Sequence, residues 1–337
     1  MDLNILWFIL ITVLFAGFFL LEGFDYGVGM IAPLLGNDEK ERRLMLRTIL
    51  PVWDGNEVWM ITAGGALFAA FPHVYATMFS AFYMALFLLL CALIFRGAGL
   101  ELRNRLDRES WHTFWDWSIC FGSAVPAVLW GVAVTNLLAG LPINGHMLYI
   151  GRFIDLLTPY TLLGGVTFLL LFTFHGAAFL TLRLDHSPLD QRLQTLGRRS
   201  GLAALLALAA YALMTVGKTD FLQHPLAVIL LVLTALLFLS SWIAYWRQKI
   251  WPSFILSSLT IVMATAAIFA GLFPRIMVSN LQPEWSLTIY NAASSPYTLT
   301  IMSIAAACLV PVILLYQGWT YWIFRKRITE QDLEQHY

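Results

Sequence analysis

The chain has 337 residues, of which 59% are hydrophobic and only 12% are charged, and its formal net charge is zero. Soluble domains carry about 25% charged residues, and a water-soluble core could not hide so many apolar side chains. The composition therefore excludes an ordinary soluble protein, and no nucleic-acid partner is expected. Because apolar runs recur along the whole chain, we expect a single polytopic membrane domain over residues 1–337.

Nine apolar segments approach or exceed the length of about 20 residues that a helix needs to cross the hydrocarbon core. The first continues through Glu22 and Asp25, which favours a retained helix over a signal peptide. The sequence thus predicts an all-α integral membrane protein. The predicted spans are residues 5–36, 49–71, 75–95, 114–138, 159–182, 200–216, 222–245, 253–274 and 298–324.

The basic residues alternate between the two sides of these spans. All 20 Lys and Arg fall on one side except Arg152, Lys218 and Arg275. By the positive-inside rule, the C-terminus is cytoplasmic and the N-terminus lies outside. The alternation is kept only with an odd number of crossings, which supports nine.

Two of the predicted spans contain paired acids. Span one holds Glu22 and Asp25 in the run LEGFDYGVG, and span two holds Asp54 and Glu57 in VWDGNEVW. A spacing of three places both members of a pair on one helix face. The GxxxG step in the first run also predicts close approach of a neighbouring helix.

A rise of 1.5 Å per residue places Asp54 and Glu57 roughly 8 and 12 Å from the cytoplasmic end of span two. On the same scale Asp25 and Glu22 lie roughly 16 and 21 Å deep in span one. No Lys or Arg is predicted within these spans except at their ends. Since carboxyl groups in a low-dielectric region can hold and pass protons, a cytoplasmic proton or cation path is the favoured interpretation.

Two further acids extend the predicted path. One begins span four and the other lies in the preceding loop, both on the cytoplasmic side. The alternative is that the acids pair with basic residues and only fix helix register. The candidate path residues are Asp54, Glu101, Asp25, Glu57, Glu22 and Asp116.

Histidine and cysteine positions constrain cofactors. Apart from His224 at the outside edge of span seven, only His175 falls within a predicted span, which excludes a bis-histidine haem. A His/Met site using His175 stays open beside a core or proton-relay role. The cysteines are far apart and predict core thiols. The other histidines are His73, His146 and His224 outside, His112 and His186 inside, and His336 in the tail.

The motifs EGFDYGVG, WDGNEVWMITAGGALFAAFP, FWDW and LFPRIMVS, followed by an Arg-rich tail, occur in this order along the whole chain. This combination resembles subunit II of cytochrome bd quinol oxidases, in a form similar to that of Gram-positive bacteria. The resemblance implies two four-helix bundles plus one peripheral helix. It also implies a complex of the bacterial plasma membrane that oxidises quinol, reduces oxygen to water electrogenically and generates proton motive force.

In that family, subunit I carries haems b and d, so the resemblance implies no haem or metal ligand in this chain. It implies pairing with subunit I and leaves room for a bound quinone and a single-span accessory subunit. Asp54 matches the family's proton-channel aspartate, Glu101 matches an acidic position more loosely, and Trp59 matches a tryptophan associated with oxygen access. Asp25 and Glu57 come from the depth estimate alone.

Two other functions stay open from the residues. In a cation-coupled secondary transporter the carboxylates would couple ion flow to substrate movement, but neither inverted repeats nor paired broken helices are visible. A structural scaffold would use the acids only to pair helices.

Overall fold

The computed structural model describes residues 2–185 and 187–329. His186 and His336, assigned above to the inside and to the tail, lie outside the described residues. Eight helices in the described part are long and apolar enough to cross a membrane. The all-α membrane class is therefore confirmed, whereas the number of crossings and their orientation stay predictions.

Eleven α-helices are present among the described residues. Proline at the first helical position opens α4, α7 and α11, which suits a residue without a free backbone N–H. The helices are α1 Leu3–Leu35, α2 Glu39–Arg47, α3 Trp53–Ala70, α4 Pro72–Ala81, α5 Tyr83–Leu102, α6 Glu109–Ala139, α7 Pro159–Arg183, α8 Ser187–Lys218, α9 Pro225–Trp246, α10 Ile250–Leu272 and α11 Pro296–Ile323.

Helix α1 lies at the centre and packs against α3, α6, α7 and α10. Its closest neighbour is α7, because Gly27 and Gly176 face each other without side chains. A Cβ on Gly27 would come within 2.2 Å of the Phe172 carbonyl oxygen and 2.7 Å of the Gly176 Cα. The close approach predicted from the GxxxG step is thus observed.

At the other extreme, α11 is the least buried of the long helices, and Leu299 is its only buried residue. It contacts α1 and α3 along one side and leaves large apolar side chains such as Leu315 and Trp319 exposed. This arrangement fits a peripheral helix.

The segment between α10 and α11 contains a feature that the sequence did not predict. Strands Arg275–Met277 and Leu287–Thr288 pair antiparallel.

In the loop between α6 and α7, the side chain and the backbone N–H of Arg152 donate hydrogen bonds to the Asp155 carboxylate. Mainly through these bonds, Arg152 lowers the pKa of the exposed Asp155 carboxyl.

Each predicted span has a helix, but several boundaries move. The second corresponds to α3, which has 18 residues and is not among the eight apolar helices. The third continues beyond residue 95 to Leu102, because small and apolar residues follow Arg96 without a break. Glu101 therefore lies in the last turn of α5 and not in a loop. Asp116 lies about two turns inside α6, which begins at Glu109.

Candidate functional site: a buried carboxylate–arginine cluster

Three charged or polar residues of α1 point into the protein interior. Glu22, Asp25 and Tyr26 are each fully buried. They lie on the part of α1 that is enclosed by its neighbours, and close packing there depends on Gly23 and Gly27, since added Cβ atoms would strike Phe172 or its backbone. The glycine-rich motif thus places acids where water is excluded.

The partner of Glu22 is Arg96 of α5, which is 1% exposed. One guanidinium nitrogen of Arg96 forms an ion pair with Glu22 Oε1, and its Cζ lies 4.9 Å from the centre of the Tyr26 ring. Gly122 of α6 lets the two helices meet here, because a Cβ would lie 2.7 Å from Arg96 Cβ. Arg96 was expected to follow span three, but it lies inside α5, and this neighbouring helix supplies a basic partner that was not expected.

Asp25 is connected to helix α11 through Asn56. The Asn56 side-chain amide donates to Asp25 Oδ2 over 2.7 Å. Its carbonyl oxygen accepts a hydrogen bond from the Tyr321 hydroxyl over 2.6 Å and a longer one from Gln317 over 3.5 Å. We call the residues Tyr321, Asn56 and Asp25 the hydroxyl–amide–carboxylate series. It reaches from the C-terminal end of α11 to the interior of α1.

Glu57 joins this cluster through electrostatic interactions with its members, whereas Asp54 lies outside it and interacts with Glu57. Glu57 is partly buried on α3 and interacts electrostatically with Arg96 and Glu22. Asp54, one turn earlier, is exposed in the first turn of α3, where a negative charge suits the helix N-terminus. The structure thus brings Glu22, Asp25 and Glu57 together around one arginine.

The cluster contains three carboxyl groups and one guanidinium. If all were ionised, two negative charges would stay uncompensated in a low-dielectric region, which is costly. Several of its buried polar atoms also have no hydrogen-bond partner among the described residues, including Asp25 Oδ1, the Tyr26 hydroxyl and the Arg96 Nε. This combination of excess acid and free polar atoms suits a group of side chains that exchange protons.

Asp116 belongs to a separate ion-pair network near the side that is predicted to face the cytoplasm. Arg103 donates to its two oxygens over 2.5 and 3.1 Å and to both oxygens of Glu39 over 2.7 Å. Arg42 adds a third contact, 3.1 Å from Asp116 Oδ2. These contacts neutralise Asp116 and hold α2 against the ends of α5 and α6. Its predicted place on the proton path stays a prediction.

Glu101 is exposed and lines a cavity of about 1010 Å³ formed by the neighbouring ends of α2, α5, α7 and α11. We call this the cytoplasmic cavity, after the side of the membrane on which the basic residues predict it to lie. Arg183, at the end of α7, lines it too and interacts electrostatically with Tyr321. The series described above therefore begins close to the cavity wall.

His175 is a fully buried residue with a polar contact at each ring nitrogen. Nδ1 lies 2.7 Å from the Ser257 hydroxyl and Nε2 lies 3.3 Å from the Leu20 carbonyl oxygen. Its ring stacks on Phe254 with the centres 4.9 Å apart. Within residues 2–185 and 187–329, no group of three or more His, Cys, Asp and Glu side chains is arranged to hold a metal ion.

Trp59 connects α3 to α11 and to α1. Its indole N–H donates to Gln317 Oε1 over 2.9 Å, and its ring covers Gly17, where a Cβ would lie 2.2 Å away. The hydrogen bond to Gln317 and the packing on Gly17 explain how the Trp59 indole is accommodated between the helices. A role in oxygen access stays a prediction.

Sequence reasoning missed Arg96, Asn56, Gln317 and Tyr321 as members of the site. Arg96 could have been found, since the apolar run around it continues on both sides. Asn56 stands inside the quoted WDGN motif. The two residues of α11 carry no such signal, because only the packing of α11 against α3 brings them to Asn56.

The fold and this site define a multi-pass helical membrane protein with a buried, acid-rich charge cluster. Residues 3–324 match the family described as cytochrome bd terminal oxidase subunit II. The chain belongs to that family and is accordingly a multi-pass protein of the plasma membrane.

Individual relatives agree with this assignment. The chain is 40% identical to cytochrome bd ubiquinol oxidase subunit 2 of Bacillus subtilis over 333 residues, which covers 98% of both chains. It is 36% identical to cytochrome bd-I ubiquinol oxidase subunit 2 of Escherichia coli K12, over 99% of this chain and 97% of the other. The resemblance recognised in the motifs, including its Gram-positive character, is thus confirmed.

A solved structure supports the fold. A chain in the structure of bd oxidase from Geobacillus thermodenitrificans matches with a TM-score of 0.78, covering 97% of this chain and 100% of that chain. The sequence identity is 17%, so this comparison concerns the fold alone.

Proposed function

We propose that the chain is the haem-free subunit II of a complex that oxidises quinol and reduces oxygen, and that it carries protons from the cytoplasm toward a haem-bearing subunit I. The observation that supports this most directly is the hydroxyl–amide–carboxylate series from Tyr321 through Asn56 to Asp25. It orients Asp25 within a buried cluster that has more acids than bases. The carboxyl groups hold and pass the protons, and the Asn56 amide positions Asp25. Uptake of protons from the cytoplasmic side would make the reaction electrogenic and contribute to proton motive force.

Among the described residues, the surroundings of His175 do not suit a haem. His175 is the histidine of the predicted spans, and both of its ring nitrogens are engaged by Ser257 and Leu20. A haem ligand would have to give up one of these contacts and displace the stacked Phe254. Following the family resemblance, we assign haems b and d to subunit I, and no step of the proposal passes through a haem in this chain.

Within the proposed path, the cluster holds fewer than three protons on its three carboxyl groups, which are Asp25, Glu22 and Glu57. When a further proton arrives from the cytoplasm, the cluster releases one toward subunit I. Arg96 keeps at least one of these carboxyl groups unprotonated, because its positive charge stabilises the ionised form of a nearby carboxyl group. Asn56 fixes the Asp25 carboxylate through its amide. Glu101 and Asp54 would collect protons at the cytoplasmic surface. A bound quinone, a single-span accessory subunit and oxygen entry near Trp59 are further expectations from the family.

The path is tested by two substitutions in the purified complex. Asp25→Asn removes the proton-binding group and should lower quinol-dependent oxygen consumption by about tenfold or more with haem content unchanged. Tyr321→Phe removes one hydrogen bond and should lower it by about fivefold. Tyr316→Phe is the matched control, since Tyr316 is exposed on the same helix. Unchanged turnover in Asp25→Asn would remove this cluster from the path.

The alternative of a cation-coupled transporter predicts a different purification result. As an oxidase subunit, the chain should be recovered from native membranes together with a larger subunit and a haem d absorbance band. A colourless single chain that moves a solute in proteoliposomes would contradict the proposal and favour the transporter.

A further inference from the structure

The cytoplasmic cavity has a strongly cationic lining. Six basic side chains face three acidic ones across a volume of about 1010 Å³. The basic residues are Arg43, Arg47, Arg103, Arg183, Lys326 and Arg327, and the acidic residues are Glu39, Glu101 and Asp107. This excess of positive charge favours an anionic ligand.

Three of these cations have no ion pair within the described part of the chain, namely Arg43, Arg183 and Lys326. Arg103 differs, because Glu39 and Asp116 both bind it. The Nε of Arg183 is buried without a hydrogen-bond partner among residues 2–185 and 187–329. Since a desolvated guanidinium nitrogen is costly when unpaired, Arg183 marks the point where an anionic oxygen would bind most favourably.

The rest of the lining is apolar except for Asn104 and His112. Leu46, Leu50, Ile323 and Phe324 form one wall, and Ile323 is continuous with the exposed apolar side of α11. A small soluble anion would gain nothing from this wall, whereas an amphipathic anion would use both parts. Basic pockets at the cytoplasmic ends of membrane helices are suited to phospholipid headgroups.

We infer that the cytoplasmic cavity binds one anionic phospholipid. Its phosphate lies against Arg183, Lys326 and Arg43, and its acyl chains run along the exposed apolar side of α11. The lipid would fix the end of α11 to α2 and α7. This inference does not depend on the proton path.

Native mass spectrometry of the purified complex tests this with phosphatidylglycerol and phosphatidylcholine of identical acyl chains. Wild type should retain one phosphatidylglycerol and no phosphatidylcholine. The double variant Arg183→Gln, Lys326→Gln should bind phosphatidylglycerol about 30-fold more weakly, because two charges near the phosphate are lost. The matched control Arg247→Gln, Lys249→Gln removes two exposed cytoplasmic cations outside the cavity and should bind like wild type.

Other outcomes would overturn the inference. Equal retention of both lipids would mean that headgroup charge is not recognised. Displacement of phosphatidylglycerol by millimolar inorganic phosphate would identify a soluble anion as the ligand. Binding only after truncation at Thr329 would show that the acidic residues Glu330, Asp332 and Glu334 occupy the cavity in the full chain. Haem absorbance and the melting temperature of the complex check that each variant is folded.

Discussion

At the scale of single residues, the ion pair between Arg96 and Glu22 sets the electrostatics of the site. Both side chains are almost completely buried, so neither can be hydrated when its partner is removed. A buried pair of this kind contributes little as a pair, but the loss of one member leaves an uncompensated charge. Removal of one member of the pair is therefore expected to lower the stability of the folded protein as well as to change proton binding.

Arg96→Gln should destabilise the complex by about 3–5 kcal/mol, seen as a lower melting temperature. Adding Glu22→Gln removes the unpaired acid, and the double variant should regain a large part of the loss. Arg105→Gln serves as the control, because Arg105 is exposed. A single Arg96→Gln variant as stable as wild type would show that the pair is not a structural constraint.

Asp54 calls for a different experiment, since it is exposed and forms no side-chain hydrogen bond or ion pair among the described residues. Asp54→Asn should leave haem content and stability unchanged and should slow oxygen consumption several-fold if Asp54 delivers protons to Glu57. Glu109→Gln is the matched control, because Glu109 is also an exposed acid in the first turn of a helix, α6. Equal turnover in the two variants would exclude Asp54 from the path.

At the scale of helices, the contact between α1 and α7 positions the whole cluster. Backbone meets backbone there because neither Gly27 nor Gly176 has a side chain. A shift of α1 by one methyl group would move Glu22 and Asp25 away from Arg96 and Asn56. The close packing of α1 on α7 therefore also fixes the positions of the acids in the cluster.

Gly27→Ala should therefore force α1 and α7 apart and cost about 1–3 kcal/mol through overpacking. The expected results are a lower melting temperature of the complex and reduced turnover. Gly318→Ala on α11 is the control, because a Cβ at that position meets open space. If both variants melted at the wild-type temperature, the close contact would not limit stability.

At the scale of the whole molecule, the sided distribution of basic residues predicts the orientation in the membrane. In a variant lacking Cys91, Cys120 and Cys308, a cysteine at His146 should react with a membrane-impermeant maleimide in intact cells. A cysteine at Lys249 should react only after the cells are opened. Both positions are exposed, so access depends on the side of the membrane. The reverse labelling pattern would invert the topology.

The sequence by itself determined the membrane class, the approximate helix positions and the family, because long apolar runs and local motifs are properties of contiguous residues. It also identified Glu22, Asp25 and Glu57, since acids in apolar helices are conspicuous. Only the tertiary structure decided what these acids contact. Arg96 and Tyr321 come from helices that are distant in sequence, and their approach depends on glycine contacts and helix packing that no local pattern encodes.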